Sequence, residues 1–334
     1  MTTHVPVEMI ERQQWLEPIE TGLQKAVGRA YGSGGPVGRQ IKNFLHGVWL
    51  GHPLHPVLTD VPIGSWTAAL VLDMAEFDPG ADVAVKLGLI GAAAAALAGL
   101  TDWKETDGPA RRVGVVHGLL NITAASLYNL SMVARGRRER QTGSTLAYCG
   151  FAISLVSAWL GGNLVYGKQI GVNHTAGEPI PEGWIEVARE DELRDGEPRR
   201  VMAGGIKVLV VKEAGKIHAI AEVCSHLGGP LADGKVEHGT VQCPWHESRF
   251  CLADGSVIDG PATHPQPRFE TRVVDGHVEC GLDRGSSRAG TPLSTASLLP
   301  FAAIHVRDLN QGSMSNPMPA SQKTDASGTV AVGD

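Results

Sequence analysis

Cysteine is scarce in this chain, with five in 334 residues, and their positions form no disulfide framework. A small protein stapled by cross-links is therefore excluded. Basic excess is also missing: 29 Lys and Arg stand against 35 Asp and Glu, a formal charge of −6, so no general nucleic-acid partner is expected. The N-terminus lacks a basic segment followed by a short apolar run and a small-residue cleavage site, and it has no twin-arginine motif, so no export signal is expected. The near-neutral mean hydropathy misleads, because it averages a very apolar region with very polar ones.

The apolar region comes first. Ile10, Trp15, Leu16, Ile19, Leu23 and Val27 recur at steps of three and four, which predicts an amphipathic helix ending near Gly32 to Gly35, lying either on the membrane surface or on its own protein. Four apolar stretches follow, Val57 to Phe77, Val83 to Trp103, Val113 to Ala134 and Thr145 to Tyr166, each near the roughly 20 residues that cross a hydrocarbon core. A soluble four-helix bundle would need a polar outer face on every helix, whereas Leu87 to Leu100 and Leu146 to Val165 carry no charge at all. The Gly and Ala of the second stretch suit close helix packing in lipid.

After Gly167 the period changes to two. Trp184 to Ala188, Val201 to Ala203, Ile206 to Val211 and Ile217 to Val223 predict short strands, and Asp275-Gly276 predicts the turn of a hairpin. Two loops interrupt this series: Cys224-Ser225-His226-Leu227-Gly228-Gly229-Pro230 and Cys243-Pro244-Trp245-His246. Two thiolates and two imidazoles suit zinc, copper(I) or an iron–sulfur cluster, and ligand type alone leaves the metal open. Cys251 and Cys280 read as buried strand residues, and His218, His238 and His264 fall outside the ligand spacing.

The pattern C-x-H followed by C-x-x-H, with Gly-Gly-Pro after the first pair and Pro inside the second, resembles the Rieske [2Fe-2S] family over residues 180 to 284. The resemblance implies an antiparallel β domain in which Cys224 and Cys243 hold the inner iron and His226 and His246 the outer one. Neutral imidazoles in place of two thiolates raise the potential to roughly −150 to +300 mV, against about −400 mV with four thiolates. A zinc knuckle is the competing reading. Gly228 and Gly229 fit the close backbone approach that bridging sulfides require, and Pro230 completes that loop. The respiratory branch carries an extra disulfide between the loops where this chain has Gly229 and Trp245, a departure that suits a reducing compartment. Ser248 matches a hydroxyl that hydrogen-bonds a bridging sulfide in that branch, while Phe250 replaces a second such hydroxyl.

The apolar half has a resemblance of its own. His52-Pro53-Leu54-His55-Pro56 and Thr59-Asp60-Val61-Pro62-Ile63-Gly64 resemble the signature of an uncharacterised bacterial four-helix membrane domain. The expected organisation is an amphipathic helical segment (1–45), a four-helix transmembrane bundle (46–170), a linker (171–182), an antiparallel β Rieske domain (183–284) and a largely disordered tail (285–334). The resemblance implies a multi-pass cell-membrane protein and one-electron carrier, exchanging electrons with a soluble redox partner or a membrane quinone. The alternative is a redox or iron sensor whose cluster signals to the bundle. Only about fifty residues follow the β domain, too few for an oxygenase's second iron site, so a component rather than a complete oxygenase is expected. Arg135, Arg137, Arg138 and Arg140 conflict with Arg39, Lys42, Lys104, Arg111, Arg112 and Lys168 over orientation. The missing staple and export signal favour a cytoplasmic cluster.

Alternating span direction places His55, Asp60, Asp102, His117, Asn121, Asn163 and His174 on one side of the bilayer, that of the Rieske domain. Ionisable groups there are costly and are usually paired or functional. Three readings stay open: groups that cap and hold the bundle, a quinone or proton site beneath the cluster, and a haem ligated by His117 with His55 or His174.

Overall fold

The computed structural model describes residues 5–178, 181 and 183–281, so the expected C-terminal tail lies outside the described residues. Three short helices, α1 (Val5–Glu11), α2 (Glu17–Ser33) and α3 (Gly35–His46), precede the bundle. The single amphipathic helix expected here is broken instead, with a 3-10 turn at Gln14–Leu16. Pro18 explains the break, because it has no N–H to give the preceding turn and its ring would clash there; it sits in the first turn of α2, where neither matters. Gly47 ends α3 at φ 82°, and a Cβ there would lie 2.2 Å from the His52 carbonyl oxygen.

Four helices then run α4 (Leu54–Met74), α5 (Asp78–Trp103), α6 (Gly108–Gly136) and α7 (Arg140–Gly162), the last continued by a π turn at Asn163–Gly167. All four are long and apolar enough to cross a membrane. Large apolar side chains such as Val71, Ile90, Leu97, Ile122 and Leu155 point outward, as lipid-facing residues would. Pro62 is accommodated inside α4 because Gly91 of α5 leaves room for its ring.

The hairpins α4–α5 and α6–α7 are copies of one another. Asp73 and Arg135, which form a buried ion pair, are 62 positions apart. The same offset relates Trp66 to Tyr128, stacked at 4.1 Å, and His55 to His117, edge-on at 6.3 Å. The buried face of α7, Gly143, Ala147, Gly150, Ser157 and Leu160, repeats Ala81, Val85, Gly88, Ala95 and Ala98 of α5 at that spacing. Equivalent residues meeting at three depths define a pseudo-two-fold axis along the bundle, the parallel-repeat arrangement of some membrane proteins. Close approach is made possible by glycine: a Cβ at Gly88 would strike Trp66, and one at Gly150 would press on Tyr128.

The β region contains β1 (Ile185–Arg189), β2 (Pro198–Ala203), β3 (Ile206–Glu213), β4 (Lys216–Ala221), β5 (Lys235–Glu237), β6 (Thr240–Gln242), β7 (Arg249–Cys251), β8 (Val257–Asp259), β9 (Arg268–Val274) and β10 (His277–Gly281). A six-stranded antiparallel sheet is ordered β1-β10-β9-β4-β3-β2, and a four-stranded one β5-β6-β7-β8. The β9–β10 hairpin turns on Asp275 and Gly276, both at positive φ as its two-residue turn requires. One core, of Leu209, Val211, Ile220, Leu231, Val241, Phe250, Leu252 and Ala262, includes Cys224 and Cys243. Cys280 is buried in the other core and its thiol is pushed up to about 12 by burial, which makes it a packing residue, as the sequence suggested.

Candidate metal centre

The two loops are built alike. The first follows β4; the second closes the β6–β7 hairpin, where Gln242 pairs with Arg249. In each, the N–H four residues beyond the cysteine donates to the cysteine carbonyl: Gly228 to Cys224 at 2.9 Å and Glu247 to Cys243 at 3.1 Å. Those two residues both have positive φ. A third segment, Ala262 to Gln266, fastens both loops. Ser225 Oγ donates to the His264 carbonyl at 2.7 Å, Gln266 Nε2 to the Val223 carbonyl at 3.0 Å, and the Ala262 N–H to Ser248 Oγ at 3.0 Å.

This geometry brings Cys224, His226, Cys243 and His246 together. The sulfurs lie on the core side, packed into the same cluster. Cys243 is pulled down to about 6, chiefly by the bond from Cys224, while the Cys224 thiol is pushed up by that same bond and by burial. Two thiolates side by side in a buried core repel one another, so holding both sulfurs as thiolates requires a cation. His226 Nδ1 is buried without a partner. Burial, with His246 and His46 nearby, holds this imidazole well below its usual range, and a neutral ring is what ligation needs. His246 Nε2 sits 2.9 Å from Asp107 Oδ2; a carboxylate can only accept, so the proton is on Nε2 and the lone pair on Nδ1.

The rings of His226 and His246 have centroids 4.9 Å apart. With metal–nitrogen bonds of about 2 Å and the centroid about 1 Å behind each nitrogen, two imidazoles on one tetrahedral ion have centroids about 5 Å apart. No three His, Cys, Asp or Glu side chains converge on a single point among the described residues. A lone zinc ion would need all four to do so, whereas a two-iron cluster needs only two per iron. The side chains present therefore fit a [2Fe-2S] group.

The neighbours fit as well. A Cβ on Gly229 would lie 2.7 Å from Cys243 Sγ and 3.1 Å from the Trp245 ring, so these two residues pack together at the place where the related branch has its disulfide. Pro230 bridges to Val223 at the end of the first loop. Ser248 is fully buried; its oxygen accepts from Ala262, which leaves its hydroxyl hydrogen to donate.

The membrane-side candidates separate into two groups. His55 and His117 face one another, and Asn121 Nδ2 donates to His117 Nε2 at 3.1 Å. Asp102 instead bonds His46 Nδ1 at 2.7 Å, and His174 joins the first cluster loop, its N–H donating to the Ser225 carbonyl at 3.0 Å and its ring bonding the Gln169 carbonyl. Asp60 is exposed and makes no ion pair or side-chain hydrogen bond among the described residues. His46 and Asp107 were missed by sequence reasoning, since neither belongs to a motif. The 62-residue repeat would have picked out His55 with His117.

Residues 183–270 match the Rieske [2Fe-2S] domain family, and residues 51–174 match a predicted membrane protein domain, DUF2231. The anthranilate 1,2-dioxygenase ferredoxin subunit of Burkholderia cepacia is 32% identical over 99 residues, covering 30% of this chain and 92% of the ferredoxin. Human apoptosis-inducing factor 3 is 35% identical over 97 residues, or 28% of this chain; the chain spans only 16% of that protein's length. The solved ferredoxin of carbazole 1,9a-dioxygenase from Nocardioides aromaticivorans is 27% identical, covering 30% of this chain and all of that one, with a TM-score of 0.29. Residues 183–270 thus form a Rieske [2Fe-2S] domain, whose cluster, when bound, would take up and return one electron. Through residues 183–270 the chain belongs to the Rieske [2Fe-2S] family, joined here to a DUF2231 membrane domain.

Proposed function

We propose that this is a multi-pass membrane electron carrier in which Cys224 and Cys243 hold one iron, His226 and His246 hold the other, and the Ser248 hydroxyl donates to a bridging sulfide. The cluster exchanges single electrons with a membrane quinone or a soluble redox partner. The observation that carries the membrane coupling is the contact of His246 Nε2 with Asp107, which immediately precedes α6. Other contacts support a fixed seam: Asn43 donates to Asp259 at 2.9 Å and accepts from the Gly260 N–H at 3.0 Å. In this reading the chain divides into the helical segment, the bundle (46–170), a linker and the β domain from 183.

The same reading puts the cluster on the cytoplasmic side. Basic residues do not decide it, because those on both sides are largely paired: Arg135 and Arg140 with Asp73 and Asp82 at one end, Lys42 and Lys104 with Glu105 at the other. The support is the Gly229–Trp245 packing in place of a disulfide. Stopped-flow mixing of the full chain in nanodiscs with a reduced quinol, and separately with a reduced soluble ferredoxin, tests the carrier. Cluster reduction by either supports it. Failure with both, together with cluster-dependent changes in proteolysis of the bundle, would replace it with the sensor.

A further inference from the structure

The two halves of the membrane domain each carry one histidine, tethered in the same way. His55 Nδ1 bonds the Ala95 carbonyl on the neighbouring helix at 2.8 Å, and His117 Nδ1 bonds the Ser157 carbonyl at 2.8 Å, 40 positions on in both cases. Gly99 lies against the first imidazole and Gly161 against the second, so each ring packs directly on helix backbone. A carbonyl can only accept. Both rings are therefore protonated on Nδ1 and carry their lone pair on Nε2, the arrangement in which a second partner fixes a metal-binding histidine. Asn121, donating to His117 Nε2, agrees with that assignment.

The rings stand 6.3 Å apart between centroids, with planes at 90°. By the same geometry that gives about 5 Å for two imidazoles on a tetrahedral ion, two imidazoles on opposite sides of one ion have centroids about 6 Å apart. The pair lies on the pseudo-two-fold axis, which makes the two ligands equivalent. No third His, Cys, Asp or Glu joins them among the described residues. A bare zinc or copper ion would be left with two ligands, short of its usual complement. A metal inside a tetrapyrrole brings four ring nitrogens and needs only two axial ligands.

We infer that His55 and His117 are the axial ligands of a haem bound between the two helical hairpins, on the cluster's side of the bundle. About three turns of helix, roughly 16 Å, separate this pair from the Trp66–Tyr128 stack along the axis. The buried equivalents in that interval are the compact Pro62 and Ala124. The exposed Asn121 side chain turns aside to free Nε2. His174, engaged by Gln169 and the first cluster loop, is not a ligand.

The test uses the full chain, expressed with a haem precursor and purified in detergent, with porphyrin measured as the pyridine complex and by optical spectrum. Stoichiometric, low-spin haem is expected. His55→Ala and His117→Ala should each lose it while the cluster's spin-resonance signal persists, which separates this inference from the assignment of the β domain. If an alanine variant loses the cluster signal too, His117→Met in its place should keep the fold and shift the haem spectrum. Three results would overturn the inference: a chain without porphyrin that also fails to bind added haemin, bound porphyrin unaffected by these variants, or a quinone that copurifies in its place and departs with His117→Ala.

Discussion

His226 and His246 meet at 4.9 Å on two loops of the β domain, while His55 and His117 meet at 6.3 Å on two helices of the bundle. Each pair joins two similar pieces of structure, and in each the rings are nearly perpendicular. In the first pair the Asp107 carboxylate takes Nε2 of His246, and Nδ1 of His226 is buried without a partner; in the second, carbonyls take Nδ1 of both rings and leave the lone pairs on Nε2. The shorter distance suits two ligands side by side on one iron; the longer suits two ligands on opposite faces. The tether, more than the imidazole, decides what each histidine can bind.

The largest expected effect breaks the loop pair. His246→Cys should give the outer iron one thiolate in place of an imidazole and lower the potential part of the way toward the roughly −400 mV of four-thiolate clusters, as read by redox titration. A potential unchanged from that of the parent protein would show that His246 is not a ligand.

The second effect breaks the bundle's symmetry. Arg135 and Asp73 are almost completely buried as a pair. Arg135→Leu should therefore destabilise the bundle, by less than the roughly 3–5 kcal/mol of a fully unpaired buried charge because Arg140 still reaches Asp73, measured by unfolding in mixed detergent. Because the two positions are equivalent under the repeat, the exchange Asp73→Arg with Arg135→Asp should recover part of that loss. Arg140, which also pairs with Asp73, would then face an arginine, and Asp82 has only Ser144 as its equivalent, so recovery should be incomplete.

A smaller effect concerns the cluster-side end of the bundle. Burial alone would raise Glu105, but Lys42 and Lys104 outweigh it and hold the carboxyl at about 2, below its usual 4.5. A depressed carboxyl stabilises the fold above its unfolded value and loses that contribution as pH falls through its folded value. The contribution, about 3 kcal/mol, should disappear between pH 4.5 and about 2 in an acid titration followed by tryptophan fluorescence. Glu105→Gln should remove that pH dependence.

The smallest effect is at Ser248. Ser248→Ala should lower the potential by much less than His246→Cys does, through loss of one hydrogen bond to sulfide. An unchanged potential would remove Ser248 from the cluster's surroundings.

The loop pair was legible in the sequence because its chemistry is local. Cysteine, histidine, glycine and proline lie within seven residues in the first loop, and cysteine, proline and histidine within four in the second, and the Asp275-Gly276 turn announces its own hairpin. The spans were legible from uninterrupted apolar composition. What could not be read were pairings that depend on how helices dock. His117 with Asn121 follows from helical spacing, but His117 with His55, Arg135 with Asp73 and His46 with Asp102 need the packed bundle. The helix expected through Ile10 to Val27 is interrupted for a local reason: apolar periodicity continues across Pro18, but its missing N–H breaks the hydrogen-bond ladder there.

The central claim, mixed thiolate and imidazole ligation on this chain, is tested most directly by pulsed spin resonance of the reduced full-length protein containing histidine labelled with nitrogen-15 at Nδ1 alone. The account predicts strong coupling to two inequivalent labelled nitrogens from His226 and His246. Iron without nitrogen coupling, or stoichiometric zinc in protein expressed with adequate iron and purified without oxygen, would contradict it.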